Sequence, residues 1–264
     1  MKTFSILLFF FILLSCSKNN NTLQNKCESF PSSDVHIGEW QKIFNSSPDS
    51  IRNIENNFPD KLLAQLDSIS KTDSIKTQAE LRKILDLWNE VKALENDYGF
   101  SAKIEADTCF LRNWFKLNFD LLKLTAEPKF TDELERVVFE MSKQNKLSKS
   151  DLKQFVYTKL NDQSYINFFI ESSAEYEHTT GGTIRISQET SYPNDGHVHL
   201  RFETSDKRFV ELFIFIPSWA GNATVTVGGV KYKAVPGEYC RVARMWKSGN
   251  SADIFIENRE IPSI

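Results

Sequence analysis

GHVHLRFET, residues 196–204, decides the fold of the C-terminal half of this chain. Apolar and polar residues alternate along it, and this period of two indicates a β-strand with one buried face. An Asn-Asp-Gly turn leads into the run, which is typical of a hairpin. Similar short β-branched or aromatic runs lie at 164–172, 182–190, 208–217, 223–229, 239–246 and 251–257. Seven such runs separated by tight turns predict an antiparallel β-sandwich.

The period changes in the N-terminal half. Apolar residues recur there at intervals of three and four, which predicts helices. The clearest is TQAELRKILDLWNEVKALENDYG (77–99), with Gly99 as a natural stop, and Thr131 is the expected N-cap of a helix over 130–143. Further helices are predicted over 59–70, 107–125 and 148–160. We therefore predict an α+β protein, with a helical domain over 36–161 and a β-sandwich domain over 162–264.

The first residues have the pattern of an export signal. MKTFSILLFFFILLSC has one lysine, an apolar run too short to span a membrane, and a small residue before Cys16. Leu13-Leu14-Ser15-Cys16 resembles the lipobox of bacterial lipoproteins, which implies cleavage after residue 15 and lipidation of Cys16. The alternative is an ordinary signal peptide with a chance cysteine. We predict a membrane-anchored, exported protein of the outer membrane, with residues 16–35 as a flexible tether.

Charge and cysteine content exclude some classes of partner and fold. The net charge of −3 and a pI near 5.9, without a basic stripe, argue against nucleic acid as a partner. Beyond Cys16, three cysteines remain, at positions 27, 109 and 240. An odd number so far apart does not indicate a disulfide framework, although a Cys109–Cys240 bridge is possible in an oxidising compartment.

The β half resembles a known enzyme family. QETSYPNDGHVHLRF (188–202), ELFIFIPSWAGNATVTVGG (211–229) and PGEYCRVARMWKSGN (236–250) are similar, in order and spacing, to the β-sandwich of glycoside hydrolases typified by bacterial β-L-arabinofuranosidase, a GH127-like family. The resemblance covers residues 163–257. Two positions depart from the family pattern: Asn194 replaces the tryptophan of PWDG, and Gly228 replaces the asparagine of VNG.

The helical half resembles the same family in part. ADTCFLRNWFKLNFDLLKLTAEPKFTDELERVVFE (106–140) is similar to a segment of the family's α/α barrel that carries an ETC zinc motif. The resemblance implies zinc-ligand roles for Cys109 and Asp107. The family's Cys-Cys-Pro-Pro-Asn-type nucleophile stretch is missing, because residues 141–163 lead directly to the first strand. We therefore predict a shortened, toroid-like helical domain that lacks this nucleophile.

Cys109 has two possible roles. As a zinc ligand or nucleophile it would act with Asp107, but structural zinc takes four ligands and only two are found here. His178, His197 and His199 could help, and the HVH run places two imidazoles on one strand face. The alternative is a core cysteine, with Asp107 as a helix N-cap, and we favour it.

The acidic and aromatic residues also have two possible uses. Glu133, Glu135 and Glu140 have the spacing of a solvated helix face, and no pair is identified that would flank a glycosidic bond. Among the aromatic residues, sugar-stacking candidates are Trp219, Trp246, Tyr192 and Tyr239. Packing within the sandwich is the alternative that we favour for them.

Taken with the family resemblance, these features predict an envelope lipoprotein that resembles a glycoside hydrolase. We expect it to be non-catalytic, and to serve carbohydrate handling or interaction with an envelope protein. The alternative is an active zinc- and cysteine-dependent glycosidase, β-L-arabinofuranosidase-like, that acts on plant-type glycans. A third possibility is a structural envelope protein without a sugar ligand.

Overall fold

After two short N-terminal strands, the described chain forms helices and then a series of strands, so the predicted α+β class is confirmed. The computed structural model describes residues 28–29, 32–35, 60–70, 77–95, 108–143, 147 and 149–257. The helices are α1 (Asp60–Ser70), α2 (Gln78–Lys92), α3 (Thr108–Thr125), α4 (Pro128–Lys143) and α5 (Lys149–Phe155). None of these described helices combines the length and apolar character that crossing a membrane requires.

The strands that the structure describes form two sheets. They are β1 (Glu28–Ser29), β2 (Ser32–Val35), β3 (Tyr157–Leu160), β4 (Gln163–Ile166), β5 (Ser172–Glu177), β6 (Thr183–Thr190), β7 (His197–Thr204), β8 (Arg208–Phe215), β9 (Asn222–Val227), β10 (Val230–Tyr232), β11 (Tyr239–Trp246) and β12 (Asn250–Glu257). A five-stranded sheet has the order β1-β3-β4-β8-β11, and a seven-stranded sheet has the order β10-β9-β12-β7-β6-β5-β2. All pairs are antiparallel except β4 with β8, which run parallel.

Helix α2 begins where the sequence predicts and ends earlier. Thr77 accepts a hydrogen bond on its side chain from the Glu80 amide, while the Glu80 carboxylate accepts one from the Thr77 amide. This capping box satisfies two backbone donors at the helix start. Past Lys92, the amide of Glu95 bonds three residues back, so the α-helical pattern stops there. The predicted end at Gly99 lies outside the described residues.

Helix α4 begins three residues before Thr131, so the prediction of Thr131 as its N-cap is wrong. Pro128 occupies the first helical position, where its fixed φ favours a helix and its missing amide is not needed. Ala126, in the two-residue connection from α3, has a φ of 53° and reverses the chain. The Thr131 side chain is consequently free to contact the β half, as described below.

The sheet begins earlier than the predicted boundary at residue 161. The expected helix over 148–160 stops at Phe155, and Tyr157–Leu160 form strand β3. Leu160 pairs with Gln163 across Asn161, which has a φ of 54°, so Asn161 and Asp162 form a tight hairpin turn. The helical periodicity of residues 148–155 is too short to carry the helix past this turn.

Two strands lie within the segment predicted as a flexible tether. Glu28–Ser29 pairs with β3, and Ser32–Val35 pairs with β5, each at a sheet edge. The prediction of a tether over 16–35 is therefore wrong for these residues. Edge pairing uses backbone amides and carbonyls, so a polar segment without alternation can add a strand.

The core lies between the two sheets and extends into the helices. Phe202 of β7 stacks on Trp246 of β11, with ring centroids 3.9 Å apart, and this pair joins the inner faces of the sheets. Phe155 at the end of α5 packs against Phe168 after β4. Aromatic rings thus continue the core from the sandwich into the helical half.

Candidate functional site

Helix α4 is buried on more than one side, so its acidic residues do not form the solvated face that the sequence predicts. Glu133 and Glu135 are each 3% exposed, and Glu140 is also buried. The sequence spacing of these three residues predicts a solvated helix face. That prediction is wrong because neighbouring helices supply polar partners for Glu133 and the β half supplies them for Glu135.

Glu135 lies at the contact between α4 and the sandwich. The Tyr192 hydroxyl donates to one carboxylate oxygen over 2.7 Å, and the Trp219 indole N–H donates to the other over 3.2 Å. The two rings stack at 25°, with centroids 6.2 Å apart. Glu135, Tyr192 and Trp219 are called the Glu135 cluster below. One carboxyl group thus joins two loops of the β half to a helix.

Neighbouring residues of α4 make further contacts with the same half. The Asp132 carboxylate accepts hydrogen bonds from the Ser218 amide at 2.9 Å and the Ser218 hydroxyl at 2.7 Å. Thr131 and the Tyr239 hydroxyl lie 2.6 Å apart, and that hydroxyl donates to Asn167 over 2.7 Å. These bonds hold one turn of α4 against the PSWAG loop and strand β11.

The environment of Glu135 favours the protonated carboxyl group. Burial raises its pKa, and the nearby Asp132 adds to the rise, while hydrogen bonds from Tyr192 and Trp219 oppose it; the resulting pKa is about 8. Burial, together with the neighbouring Glu135, also raises the pKa of Tyr192 well above its ordinary value. Near neutral pH, Glu135 is therefore mainly a neutral acid.

Glu133 has the opposite electrostatic environment. It accepts hydrogen bonds from the Trp114 indole at 2.6 Å, from Lys92 at 2.6 Å and from Arg136 at 2.5 Å. Burial alone would raise its pKa, but the Arg136 and Lys92 cations overcome this effect and lower the pKa to about 2. Glu133 is thus a buried, ionised group held within the helical half.

The two carboxyl groups do not face a common cleft. Glu133 contacts residues of α2, α3 and α4, whereas Glu135 contacts loops of the sandwich. Glycoside hydrolysis requires two reacting groups on either side of one bond. The geometry of α4 is consequently that of a link between the two halves.

The structure describes one of the two predicted metal ligands, Cys109. Cys109 is exposed in the first turn of α3, which disfavours a core position, while Asp107 and Cys16 lie outside the described residues. In the described ranges, no three His, Cys, Asp or Glu side chains are arranged to hold a metal ion. Cys240 is a buried free thiol with a pKa raised by burial to about 11, so the Cys109–Cys240 bridge does not form.

Two of the four proposed sugar-stacking rings are inside the protein. Tyr192 is 1% exposed and Trp246 is 0% exposed, so neither presents a ring face to solvent. Both positions fit the packing alternative. Trp219 and Tyr239 are half-buried, and each uses its polar atom in the contact with α4.

The histidines occupy two separate regions. His178 is buried in a hairpin, where its ring nitrogens contact the Thr180 hydroxyl and the Phe209 carbonyl, each at 2.9 Å. His197 and His199 face outwards from β7, beside Asp253 of β12.

Sequence patterns did not identify the Glu135 cluster. Its hydrogen bonds join residues 57 and 84 positions apart, so no local periodicity reports them. One available signal was the presence of Tyr192 and Trp219 in the segments that resemble the family. Buried tyrosine and tryptophan usually need a hydrogen-bond partner, which points to a polar group nearby.

Comparison with known proteins agrees with this architecture. Residues 163–256 match a family described as beta-L-arabinofuranosidase, GH127 middle domain. No curated protein sequence matches the chain.

Solved structures extend the similarity beyond the β half. A structure described as a glycoside hydrolase is 19% identical, with a TM-score of 0.51 over 57% of this chain and 32% of its own. A GH127 β-arabinofuranosidase is 20% identical, with a TM-score of 0.50 over the same shares. A GH127 β-L-arabinofuranosidase from Geobacillus stearothermophilus T6 is 17% identical, with a TM-score of 0.56 over 74% of this chain and 41% of its own.

The match covers about a third of the length of the first two solved structures. At these identities the likeness concerns the fold. The family match confirms the predicted resemblance of the β half, residues 163–256, to the GH127 middle domain.

Proposed function

We propose that this GH127-like chain is a non-catalytic carbohydrate-handling protein of the cell envelope, anchored through a lipid on Cys16. The family match over 163–256 supports the connection with carbohydrate. The absence of catalysis is proposed from the way the buried carboxyl groups are used.

The use of Glu133 and Glu135 carries this proposal. Each oxygen of Glu135 accepts a hydrogen bond from the β half, and the oxygens of Glu133 accept bonds from three side chains of the helical half. A hydrolase needs acid and nucleophile groups that contact its substrate. Both glutamates are buried and already paired within the protein, so neither is placed to contact a sugar.

The test compares hydrolysis with binding. The full chain, purified in detergent, would be incubated with an aryl β-L-arabinofuranoside, and its retention on plant-type glycans would be measured by affinity electrophoresis. We expect no sugar release above the blank and glycan retention that is unchanged in Cys109→Ala. Sugar release that disappears in Cys109→Ala would contradict the proposal, as would a lack of binding to any glycan tested.

The exposure of Cys109 favours a second candidate, an active zinc- and cysteine-dependent glycosidase. A thiolate and a carboxylate two residues apart, Cys109 and Asp107, both suit zinc. Metal analysis by mass spectrometry would test it. About one zinc per chain, lost together with hydrolysis in Cys109→Ala, would support this candidate and contradict the non-catalytic one.

Anchoring through Cys16 has a separate test. Cells that express the chain would be labelled with a radioactive fatty acid, beside a Cys16→Ser variant. We expect label in the wild-type band and none in the variant. Equal labelling of both would contradict lipidation at Cys16. No acidic residue follows Cys16 closely, so we place the anchored protein in the outer membrane.

A further inference from the structure

Two apolar side chains are exposed side by side at one end of the five-stranded sheet. Phe209 of β8 lies opposite Met245 of β11, and the two residues are 48% and 43% exposed. Val210 and Trp246, which follow them in the chain, are fully buried, so both side chains point to the outer side of the sheet. Phe209 and Met245 are called the apolar pair below. Single exposed apolar residues are normal, whereas adjacent ones can mark an interaction surface.

Helix α4 contacts the other end of these strands. Because β8 and β11 are antiparallel, the start of β8 and the end of β11 lie at the same end of the sheet. Tyr239 is the first residue of β11, and its hydroxyl lies 2.6 Å from the Thr131 hydroxyl of α4. The apolar pair therefore lies at the end of the sandwich that is remote from α4.

The N-terminal edge strand begins at the same end as the apolar pair. β1 is antiparallel to β3, β3 is antiparallel to β4, and β4 is parallel to β8. β1 therefore runs in the same direction as β8, and the chain enters β1 at the end of the sheet where β8 starts. Cys16, the predicted lipid attachment, is twelve residues before Glu28, a reach of at most about 40 Å. A lipid on Cys16 would tether the sandwich by the end that exposes the apolar pair.

Exposed basic residues flank the apolar pair. Lys207 and Lys247 lie two positions from its members along β8 and β11, and both are exposed. Asp206, the acidic residue beside Lys207, is paired with Arg208 at 3.3 Å. An apolar centre flanked by lysines suits a membrane surface, because the apolar side chains enter among the acyl chains while the ammonium groups reach lipid phosphates.

The small size of the apolar pair favours a tethered contact over a free complex. A stable protein interface buries about 800 Å² on each partner, far more than two side chains offer. A tether replaces this requirement, because it keeps the surface at a high effective concentration beside the membrane. A weak contact that would not hold a free protein can then orient a tethered one.

We propose that the apolar pair, with Lys207 and Lys247, is a membrane-contact surface that rests on the phospholipid bilayer holding the Cys16 lipid. This inference rests on the lipid anchor of the proposed function and is independent of its carbohydrate part. Contact at this end directs the Glu135 cluster, which lies where α4 meets the sandwich, away from the bilayer.

Quenching of tryptophan fluorescence by brominated lipids tests the proposal. The membrane-purified chain would be reconstituted into vesicles of phosphatidylethanolamine and phosphatidylglycerol, with and without bromine on the acyl chains. Phe209→Trp places the reporter in the apolar pair. Phe255→Trp is the matched control, because Phe255 is 50% exposed and lies on the other sheet. The emission that Phe209→Trp adds to that of the wild type should fall at least twofold in brominated vesicles, and the emission that Phe255→Trp adds should not change.

Replacement of the basic residues provides a second readout. Lys207→Gln with Lys247→Gln, made in the Phe209→Trp chain, should at least halve the quenching, because both ammonium groups that reach the lipid phosphates are removed. Equal quenching with and without the lysines would overturn their part in the surface.

Flotation of the vesicles separates the two ways in which the reasoning can fail. A chain that does not float with the vesicles would contradict the anchor at Cys16 and this inference together. A chain that floats, but in which the two reporters are quenched equally or not at all, would overturn this inference alone. A blue-shifted Phe209→Trp emission that bromine leaves unchanged would also overturn it, because another protein surface would then cover the apolar pair.

Discussion

Replacement of Glu135 by glutamine should stabilise the protein at neutral pH and remove part of its pH dependence. Glu135 has a pKa of about 8 in the folded protein, against an ordinary value of 4.5. Between these values the unfolded chain releases a proton that the folded protein retains. The free energy of unfolding therefore falls as pH rises from 4.5 to 8, and this loss is absent below pH 4.5.

The size of the effect follows from the same two values. At about 1.4 kcal/mol per pH unit, the full loss is on the order of 5 kcal/mol, of which about 3 kcal/mol is reached at pH 7. Glutamine has nearly the same shape and stays neutral, and its carbonyl oxygen can still accept the hydrogen bond from Trp219. Glu135→Gln should therefore resemble the wild type at pH 4 and exceed it by up to about 3 kcal/mol at pH 7.

Urea unfolding followed by tryptophan fluorescence would measure this difference. The comparison needs wild type and Glu135→Gln at several pH values from 4 to 8, with Glu175→Gln, on the exposed side of β5, as the matched control. Other titrating groups cancel in the difference between wild type and variant. If the two proteins lose stability in parallel over this range, Glu135 is not a neutral buried acid and the reasoning fails.

Two further substitutions should lower the stability of the protein, and one buried cysteine should resist alkylation. Glu133→Gln should destabilise the protein at pH 7 by about 2 kcal/mol, because Lys92 and Arg136 lose a buried carboxylate partner and retain Glu95. Urea unfolding checks this, and a loss below about 1 kcal/mol would contradict it. Gly196→Ala should lower the free energy of unfolding by about 3 kcal/mol, since a Cβ there would lie 1.8 Å from the Ile256 carbonyl oxygen. A thermal shift no larger than that of a surface substitution would contradict it. Cys240 should resist iodoacetamide in the native protein and react in urea, because it is buried and its pKa is raised to about 11. Peptide mass spectrometry would detect the alkylation, and rapid native modification would refute its burial.

The β half was predicted from sequence because its signals are local. Alternation and turn residues identified most strands, including β7 and β12. Strand β5, Ser172–Glu177, was missed because its sequence SSAEYE places serine and glutamate among few apolar residues. Its assignment depends on pairing with β6 and β2, which periodicity within the strand does not report.

The environment of the acidic residues could not be predicted in the same way. Glu133 and Glu135 have the polarity expected of an exposed helix face. Neighbouring helices enclose Glu133, and the β half encloses Glu135. His197 and His199 were correctly expected to share a strand face. Their proximity to Asp253, 54 residues further along from His199, is a consequence of sheet order. Contacts of this kind arise from topology.

The position of α4 explains why the two halves act as one structure. Three of its acidic residues contact different parts of the protein. Glu133 accepts hydrogen bonds from the helical half, whereas Asp132 and Glu135 accept them from loops of the sandwich. Separation of the β half from α4 would remove the hydrogen bond from Tyr192 to Glu135, whose net contribution is on the order of 1 kcal/mol. The part of the chain that matches the family therefore depends on a helix outside that match. The carboxyl groups of that helix are accordingly engaged in holding the fold together, which is the physical basis for proposing that they take no part in hydrolysis.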